Sequence, residues 1–375
     1  MKVVIAIDSL KGSLSSMEAG FAIKEGILKA KPDAEVIVRP LADGGEGTTD
    51  ALIEGLNGKR IDLTVTGPMG TPVNAYYGYL EETHTAVMEM ASAAGITLVP
   101  DHQKNPLIAS TFGVGEMILH AIKQGCQNFI IGIGGSATND GGIGMLKALG
   151  FQFFDENGND VGEGGQALSK IASICTDFVN ENIYKCNFKI ACDVNNPLYG
   201  ENGATYIYGP QKGVTAETKE PLDLGMKNYA QATAAHFGKV HALTPGAGAA
   251  GGMGFAFLSY LNAQLTPGVD LILDATHLEN ILADADVVVT GEGRLDHQTA
   301  MGKAPVGVAK LAKKYGAKVI AFAGSVTKDA TACNGAGIDA FFPIVRGITT
   351  LEEAMKPEVA RENMIAAVEQ VFRLI

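Results

Sequence analysis

The chain has 375 residues, which is enough for two or three domains of ordinary size. Hydrophobic residues make up 46% and charged residues 19%, a globular composition that excludes intrinsic disorder. The 29 basic and 41 acidic residues give a net charge of −12, which argues against a dedicated nucleic-acid binder. Glycine is frequent, with 47 residues, so we expect several loops in which the backbone approaches a ligand closely.

The cysteines and the apolar segments indicate a cytoplasmic protein with no membrane partner. The 5 cysteines are odd in number and form no C-x-x-C pair, which favours reduced thiols. The apolar run at residues 3–7 is too short for a signal peptide and predicts a buried strand. The longest uncharged stretch, residues 242–269, contains prolines and many glycines, so it is no candidate for a membrane span.

Strands and helices alternate at both ends of the chain. Near the N-terminus, strands are predicted at residues 3–7 and 35–39, and a helix at residues 48–56. Ser15 and Glu18 have the spacing of a capping box, and an apolar stripe follows them, so a helix begins there. The same rhythm returns near the C-terminus, with strands at 286–290, 318–323 and 340–345 and helices at 304–314 and 353–374.

The middle of the chain begins differently. Runs at residues 61–66, 73–80 and 85–90 are joined by short turns, which favours antiparallel strands. Alternation then resumes with strands at 129–133 and 188–192 and a helix at 141–149. We therefore expect an α/β protein in which a Rossmann-like parallel-sheet domain is interrupted by a larger inserted mixed α/β domain. The first would comprise residues 1–66 and 285–375 and the second residues 67–284, with the active site in the cleft between them.

Ligands of parallel sheets bind beyond the carboxyl ends of the strands, so the loops there are the candidate sites. The first loop carries Asp8, Ser9 and Lys11, which could hold an anion or simply form a solvated strand end. The second loop, residues 41–48, contains three glycines with Asp43 and Glu46. These two carboxylates are hard oxygen donors suited to Mg²⁺ or to a substrate hydroxyl.

The third loop, residues 132–142, is the richest in glycine and predicts an anion-binding nest of backbone N–H groups. It matches G-x-G-x-x-A, but the acid expected about 20 residues later corresponds only to Asp155, in a turn, so the dinucleotide fingerprint is weak. No Walker-type motif occurs. A tight turn without a ligand is the alternative. The candidate ligand-binding residues of this loop are Gly132, Gly134, Gly135, Ser136, Asn139 and Asp140.

Three later segments complete the candidates. Asp193 follows a strand and could act as a general base, bind a metal or form an Asx-turn. The uncharged run at 246–254 could approach a phosphate, although close packing of small residues is the preferred interpretation. Arg294 and Asp296 follow another strand, with Lys303 beyond them. They could capture a carboxylate or phosphate or form a local ion-pair network.

Taken together, these loops resemble the bacterial glycerate kinase family, of the glycerate 2-kinase type. The resemblance extends from Lys2 to the last helix and rests on five motifs in one order: DSLKG at 8–12, LADGGEGT at 41–48, GIGGSATNDGG at 132–142, ACDVNNPL at 191–198 and TGEGRLD at 290–296. It implies ATP-dependent phosphorylation of glycerate, usually at the 2-hydroxyl, with Mg²⁺ and with the interrupted Rossmann-like fold described above.

The resemblance suggests a role for each candidate residue. The third loop would bind the ATP phosphates, while Lys11 would stabilise the transferred phosphoryl group and Asp193 or Asp296 would accept the hydroxyl proton. Mg²⁺ would be held by Asp43, Glu46 or Asp193. The residues expected to contact glycerate are Asp8, Ser9, Asp43, Arg294 and Lys303.

Four alternatives stay open. Two are close to the main hypothesis: a kinase of another small hydroxy acid, and a glycerate kinase that phosphorylates the 3-hydroxyl. Two are remote: an NAD-dependent oxidoreductase, which the glycines of the third loop would explain, and a two-domain binding protein without catalytic activity.

Overall fold

A computed structural model describes residues 1–238 and 241–375. The chain divides into two compact units. Unit 1 consists of Met1–Asp43, Asp50–Gly58 and Val269–Ile375, and unit 2 consists of Gly44–Thr49 and Lys59–Gly268. The discontinuous organisation expected from the sequence is therefore present. That the active site lies between the two domains stays a prediction.

The strands, in chain order, are β1 Lys2–Ile7, β2 Glu35–Pro40, β3 Lys59–Thr66, β4 Pro72–Leu80, β5 Thr85–Glu89, β6 Asn128–Gly132, β7 Gln152–Phe154, β8 Ser173–Cys175, β9 Asn187–Ala191, β10 Gln264–Thr266, β11 Val287–Leu295, β12 Lys318–Val326 and β13 Ala340–Pro343.

The α-helices are α1 Ser16–Ala30, α2 Thr48–Gly55, α3 Ala91–Ala94, α4 Phe112–Lys123, α5 Ile143–Ala148, α6 Ala204–Tyr208, α7 Ala216–Phe237, α8 Ala249–Tyr260, α9 Gly268–Ala275, α10 Leu278–Leu282, α11 His297–Ala300, α12 Ala304–Lys313, α13 Ala332–Gly335, α14 Leu351–Ala354 and α15 Pro357–Phe372.

Unit 1 is built on a five-stranded parallel sheet with the order β13-β12-β11-β1-β2. The continuous apolar run of β1 is explained by burial on both faces. Val4 and Ala6 point into one core cluster, while Val3, Ile5 and Ile7 point into another. Because all its strands are parallel, their carboxyl ends lie along the same edge, which is where a ligand site is expected.

Helix α1 begins as the sequence predicts. The Ser15 hydroxyl accepts a hydrogen bond from Glu18 N, and the Glu18 carboxylate accepts one from Ser15 N. The buried side of α1 packs against α15, the last helix of the chain, and an Arg361–Glu25 ion pair joins the two helices at the surface. The first and last helices of the chain therefore share one core.

Unit 2 contains a six-stranded mixed sheet with the order β10-β9-β6-β5-β4-β3. Strands β3, β4 and β5 pair antiparallel, as their short connections predict, and β5, β6, β9 and β10 pair parallel. The register aligns Glu89, Gly132, Ala191 and Thr266 at the carboxyl ends of the parallel strands. The loops that follow these residues are therefore neighbours.

The domain boundaries differ from those expected. Residues 59–66 form β3, which pairs with β4 along its length and so belongs to unit 2. Residues 269–284 belong to unit 1, because Val269, Leu278 and Leu282 pack into the same core cluster as β1. The short Gly44–Thr49 segment belongs to unit 2. Pairing and packing over long sequence distances decide these boundaries, and the local sequence pattern does not report them.

A separate question is whether any helix could lie across a lipid bilayer. Within residues 1–238 and 241–375, no helix combines the length and the apolar character needed to do so.

Candidate active site

Unit 1 contains a cavity of about 540 Å³ at the carboxyl-end edge of its sheet. One wall is apolar and includes Ile344, Leu351 and Met355. The rest of the wall is rich in charged and hydroxyl groups. It includes all the residues expected to bind glycerate and two of the three expected catalytic residues: Asp8, Ser9, Lys11, Asp43, Arg294, Asp296 and Lys303.

Asp8 is the most perturbed carboxyl group of this cavity. It follows β1 directly, is only 7% exposed, and accepts a hydrogen bond from Ser9 N at 2.7 Å. Burial raises the pKa of Asp8 from 3.8 to about 7, and the negative charge of Asp43 acts in the same direction. Asp8 can therefore exchange a proton near neutral pH, which is the property required of a general base.

Three cations line the same cavity. Lys11 Nζ lies 3.7 Å from Asp43 Oδ2, and both side chains are accessible to solvent. Arg294 Nε lies 3.9 Å from Asp296 Oδ2, and Lys303 is the N-cap residue of α12. These ion pairs are loose, so the three cationic groups are able to turn toward a bound carboxylate or phosphate.

Asp296 has a structural role that the sequence interpretation did not assign. Its Oδ1 accepts hydrogen bonds from Gln298 N at 2.9 Å and Thr299 N at 3.2 Å, and so caps α11. Two donors on one oxygen stabilise the ionised carboxylate and reduce its basicity. Asp296 is therefore a poorer general base than Asp8, although it lines the cavity.

Glu292 belongs to the same group of residues but was not among the candidates. It lines the cavity and accepts a hydrogen bond from the Thr299 hydroxyl. Burial raises the pKa of Glu292, and the negative charges of Asp296 and Asp43 act in the same direction. Its place in the TGEGRLD motif, one residue after a glycine at the strand end, was the available signal.

Unit 2 contains the glycine-rich third loop, which leaves β6 at Gly132. Gly134 and Gly135 are exposed at its apex, and Gly135 has a φ of +71°, which an L side chain would adopt only with strain. Among the described residues, none accepts a hydrogen bond from the backbone N–H groups of Gly134, Gly135 or Ser136. Three successive free donors on a turn form an anion-binding nest.

Asn139 and Asp140, at the far end of this loop, are fully buried and do not lie with the exposed glycines. Asp140 accepts four hydrogen bonds from protein groups, namely the backbone and hydroxyl of Thr111 and the N–H groups of Gly142 and Gly144. Asn139 donates to the Thr205 hydroxyl. The structure thus differs from the prediction of nucleotide contacts here, because these side chains hold the loop together from inside.

Lys212 is a buried residue at this loop that sequence analysis missed. It is 2% exposed, and its Nζ donates to Ser136 Oγ at 2.6 Å and to Thr138 O at 2.8 Å. Burial lowers the pKa of Lys212 from 10.5 to about 7, while the charge of Asp140 opposes the shift. The only signal was its position in the Gly-Pro-Gln-Lys-Gly turn at 209–213, far from the loop in sequence.

The second loop and Asp193 also lie at the carboxyl-end edge of the unit 2 sheet. A side chain on Gly44 would meet Ala191 Cβ and Gly268 Cα, each at 2.7 Å, so this loop packs tightly on the strand ends. Asp193 Oδ1 accepts a hydrogen bond from Gly268 N at 3.0 Å, and Glu46 is exposed. Glu46 and Asp193 are therefore described with unit 2, whereas the third metal candidate, Asp43, lines the cavity of unit 1.

The uncharged run at 246–254 is explained by close packing, as the preferred interpretation expected. A side chain on Gly251 would lie 2.1 Å from Thr138 O, and one on Gly252 would lie 2.8 Å from Gly141 Cα. Gly141 N also donates to Gly251 O at 2.9 Å. The run thus forms the support under the third loop.

In the part of the chain that the structure describes, no group of three or more histidine, cysteine or acidic side chains has the arrangement of a metal site. Mg²⁺, however, commonly binds through one or two carboxylates together with substrate phosphates and water. The oxygen donors of Asp8 and Asp43 suit such a cation, since each carboxylate raises the electrostatic cost of ionising the other.

The sequence matches the profile of the Glycerate kinase family over residues 3–375. A glycerate kinase of Bacillus subtilis is 48% identical over 95% of this chain and 93% of its own. A glycerate 2-kinase of Escherichia coli is 45% identical over the same two shares. The structure matches that of a proposed glycerate kinase 2 from Salmonella typhimurium LT2 with a TM-score of 0.92 and 45% identity, covering 100% of this chain and 98% of that one. With these matches along its whole length, the chain belongs to the glycerate kinase family.

Proposed function

We propose that this protein transfers the γ-phosphoryl group of ATP to glycerate, at the 2-hydroxyl group, in the cytoplasm. The observation that carries the proposal is the cavity of unit 1, in which a carboxyl group with a pKa of about 7 faces three cations. A small hydroxy acid needs cationic partners for its carboxylate and a base for its alcohol. The name of the Escherichia coli relative, glycerate 2-kinase, supports the 2-position.

The residues of unit 1 would divide the work of binding and proton transfer. Arg294 and Lys303 would bind the glycerate carboxylate, with Ser9 as a further hydrogen-bonding partner. Asp8 would accept the proton of the hydroxyl group as the oxygen attacks phosphorus. Lys11 would stabilise the negative charge that spreads over the phosphoryl oxygens during transfer. Asp8 takes the role of base first proposed for Asp193 or Asp296, because its carboxyl group has the pKa suited to it.

The third loop of unit 2 would bind the ATP phosphates. Its free N–H groups at Gly134, Gly135 and Ser136 provide a nest for phosphate oxygens without any charged side chain at the surface. Backbone donors of this kind are already oriented, so binding costs little reorganisation. Gly132 contributes by allowing the second loop to approach, since a side chain there would lie 2.6 Å from Gly44 O.

Mg²⁺ would accompany the nucleotide, with Asp43 as its first candidate ligand and Glu46 and Asp193 as alternatives. When bound, the ion would neutralise phosphate charge and hold the phosphate oxygens in one geometry. The cluster of acidic groups around Asp43 fits this task, because Asp8 and Glu292 each have a pKa raised by its charge.

A coupled assay of ADP release tests the proposal directly. We expect ATP-dependent turnover with glycerate and much weaker turnover with tartronate, glycolate and lactate. The product should be a substrate for enolase without added phosphoglycerate mutase, because only 2-phosphoglycerate is used directly. Turnover that needs the mutase would move the phosphoryl group to the 3-hydroxyl. Absence of ATP turnover, or oxidation with NAD instead, would contradict the proposal.

A further inference from the structure

The ammonium group of Lys212 lies directly beneath the exposed part of the third loop. Lysine is almost never fully buried without a charged partner. Here the hydrogen bonds of Nζ go to two uncharged acceptors, Ser136 Oγ at 2.6 Å and Thr138 O at 2.8 Å. Both acceptors belong to the loop, and Lys212 reaches them from a turn more than 70 residues later in the sequence.

The chemistry of an ammonium group fixes the role of the Ser136 hydroxyl. An ammonium group donates hydrogen bonds and cannot accept them. Ser136 Oγ must therefore accept from Lys212, and the hydroxyl hydrogen is directed away from Nζ. Ser136 is buried next to the exposed Gly134 and Gly135, and the three share the run of free backbone N–H groups. The hydroxyl becomes a fourth donor available to the same anion.

A purely structural contact at this position would not need a charge. Removing an ammonium group from water costs several kcal/mol unless a negative group compensates for it. The nearest acidic group, Asp140, is already saturated by four hydrogen bonds from Thr111, Gly142 and Gly144. An anion bound to the loop would supply the missing negative charge.

We propose that Lys212 is a positioning residue for the triphosphate, which acts through Ser136 by fixing its hydroxyl as a donor and by placing a positive charge behind the loop. The inference rests on the proposed function, since it assumes that the loop binds ATP phosphates. It adds a residue and a chemical reason that the exposed glycines alone do not provide.

The test compares Lys212→Met, Ser136→Ala, Ser136→Thr and the Lys212→Met/Ser136→Ala double variant with the unaltered protein. Lys147→Met is the matched control, because Lys147 is also a mostly buried lysine of unit 2 but pairs with Asp160 and Glu163. KM for ATP, KM for glycerate and kcat are measured, together with binding of inorganic tripolyphosphate by calorimetry. Thermal unfolding establishes that each variant is folded.

We expect Lys212→Met and Ser136→Ala to raise KM for ATP and weaken tripolyphosphate binding roughly 10- to 100-fold, as expected for hydrogen bonds to a charged ligand. KM for glycerate should change less than about twofold. The double variant should be no worse than Lys212→Met, because the lysine acts through the serine. Ser136→Thr, which keeps the hydroxyl, and Lys147→Met should bind tripolyphosphate like the unaltered protein.

Three results would overturn the inference: unchanged ATP and tripolyphosphate binding in Ser136→Ala, effects that multiply in the double variant, or an equal loss in Lys147→Met. If Lys212→Met does not fold, the two serine variants decide the matter. The proposed function fails separately, when the unaltered protein does not phosphorylate glycerate. Tripolyphosphate binding would then still support or refute the role of Lys212 and Ser136.

Discussion

The buried carboxyl group of Asp8 makes the stability of the ligand-free protein depend on pH. Its pKa is about 7 in the folded state and 3.8 is its ordinary value, so the unfolded chain releases this proton more readily. The favourable contribution of the protonated form is complete below about pH 4 and is lost as the pH rises through about 7. Ionised Asp8 is thus a cost that the protein carries at and above neutral pH.

We expect Asp8→Asn to be more stable than the unaltered protein at pH 8, by about 4 kcal/mol at most, with a difference that shrinks toward pH 5. Urea unfolding across this pH range is the measurement. Asp155→Asn is the control of opposite sign, since hydrogen bonds from Asn159 and Asn157 lower the pKa of that exposed carboxyl group. Equal pH profiles for Asp8→Asn and the unaltered protein would contradict the assignment.

Lys11 should matter for catalysis and little for folding. Its side chain is 61% exposed and makes only a loose ion pair with Asp43. We expect Lys11→Ala to reduce kcat/KM by a factor of about 10² to 10⁵, the range for a cation that stabilises phosphoryl transfer. Lys29→Ala removes an equally exposed lysine paired with Glu25 in the same unit and should leave kcat/KM unchanged. Turnover like that of the unaltered protein in Lys11→Ala would remove Lys11 from the mechanism.

At the scale of elements, the cap of α11 separates a structural role of Asp296 from a chemical one. Asparagine can accept the same hydrogen bonds from Gln298 N and Thr299 N, whereas alanine cannot. We expect Asp296→Asn to keep most of the activity and Asp296→Ala to lose about 1 kcal/mol of stability. Steady-state kinetics and thermal unfolding of both variants provide the check. If Asp296→Asn is as inactive as a variant of the base, the carboxylate itself takes part in the reaction.

The second loop offers a test of close packing at a strand end. Gly44 and Gly70 both have positive φ values, of +83° and +80°, but only at Gly44 would a side chain meet other atoms. Alanine at Gly70 should therefore cost about 1–2 kcal/mol through the backbone alone. Gly44→Ala should cost clearly more, because Ala191 and Gly268 must move. Equal losses in urea unfolding would mean that the loop gives way without resistance.

How far the sequence could predict this protein follows from the range over which each signal acts. Local patterns gave the parallel strands, the Ser15–Glu18 capping box and the loops at strand ends. They misplaced β3, because its partner strand could have lain in either domain. They could not find Lys212, whose importance comes from a contact with Ser136 across 76 residues. Nor could they show that Asp140 faces inward, since a buried and a ligand-binding aspartate look alike in one sequence.

At the scale of the whole molecule, α15 is required for the core of unit 1. Met364, Ile365, Val368 and Phe372 are almost completely buried in the same cluster as β1 and α1. Burying side chains of this size contributes roughly 1.5–3 kcal/mol each, which together approaches the total stability of a typical domain, about 5–15 kcal/mol.

We therefore expect a chain shortened after residue 356 to have an unfolded unit 1 while unit 2, which has its own core cluster, stays folded. Limited proteolysis should then leave a resistant fragment within residues 59–268. Removal of residues 373–375 alone is the control and should be tolerated, since Leu374 is largely exposed. A shortened chain that resists proteolysis at its N-terminal segment would show that α15 is dispensable.

The insertion of one unit within the other also governs the order of events on the ribosome. The sheet of unit 1 places β1, made first, beside β11, made after all of unit 2 has been synthesised. The nascent β1 and β2 must therefore wait, with an apolar surface unpaired, while the later unit matures ahead of them. A protein arranged in this way is exposed to aggregation and to chaperone binding during that interval, and slower translation would lengthen it.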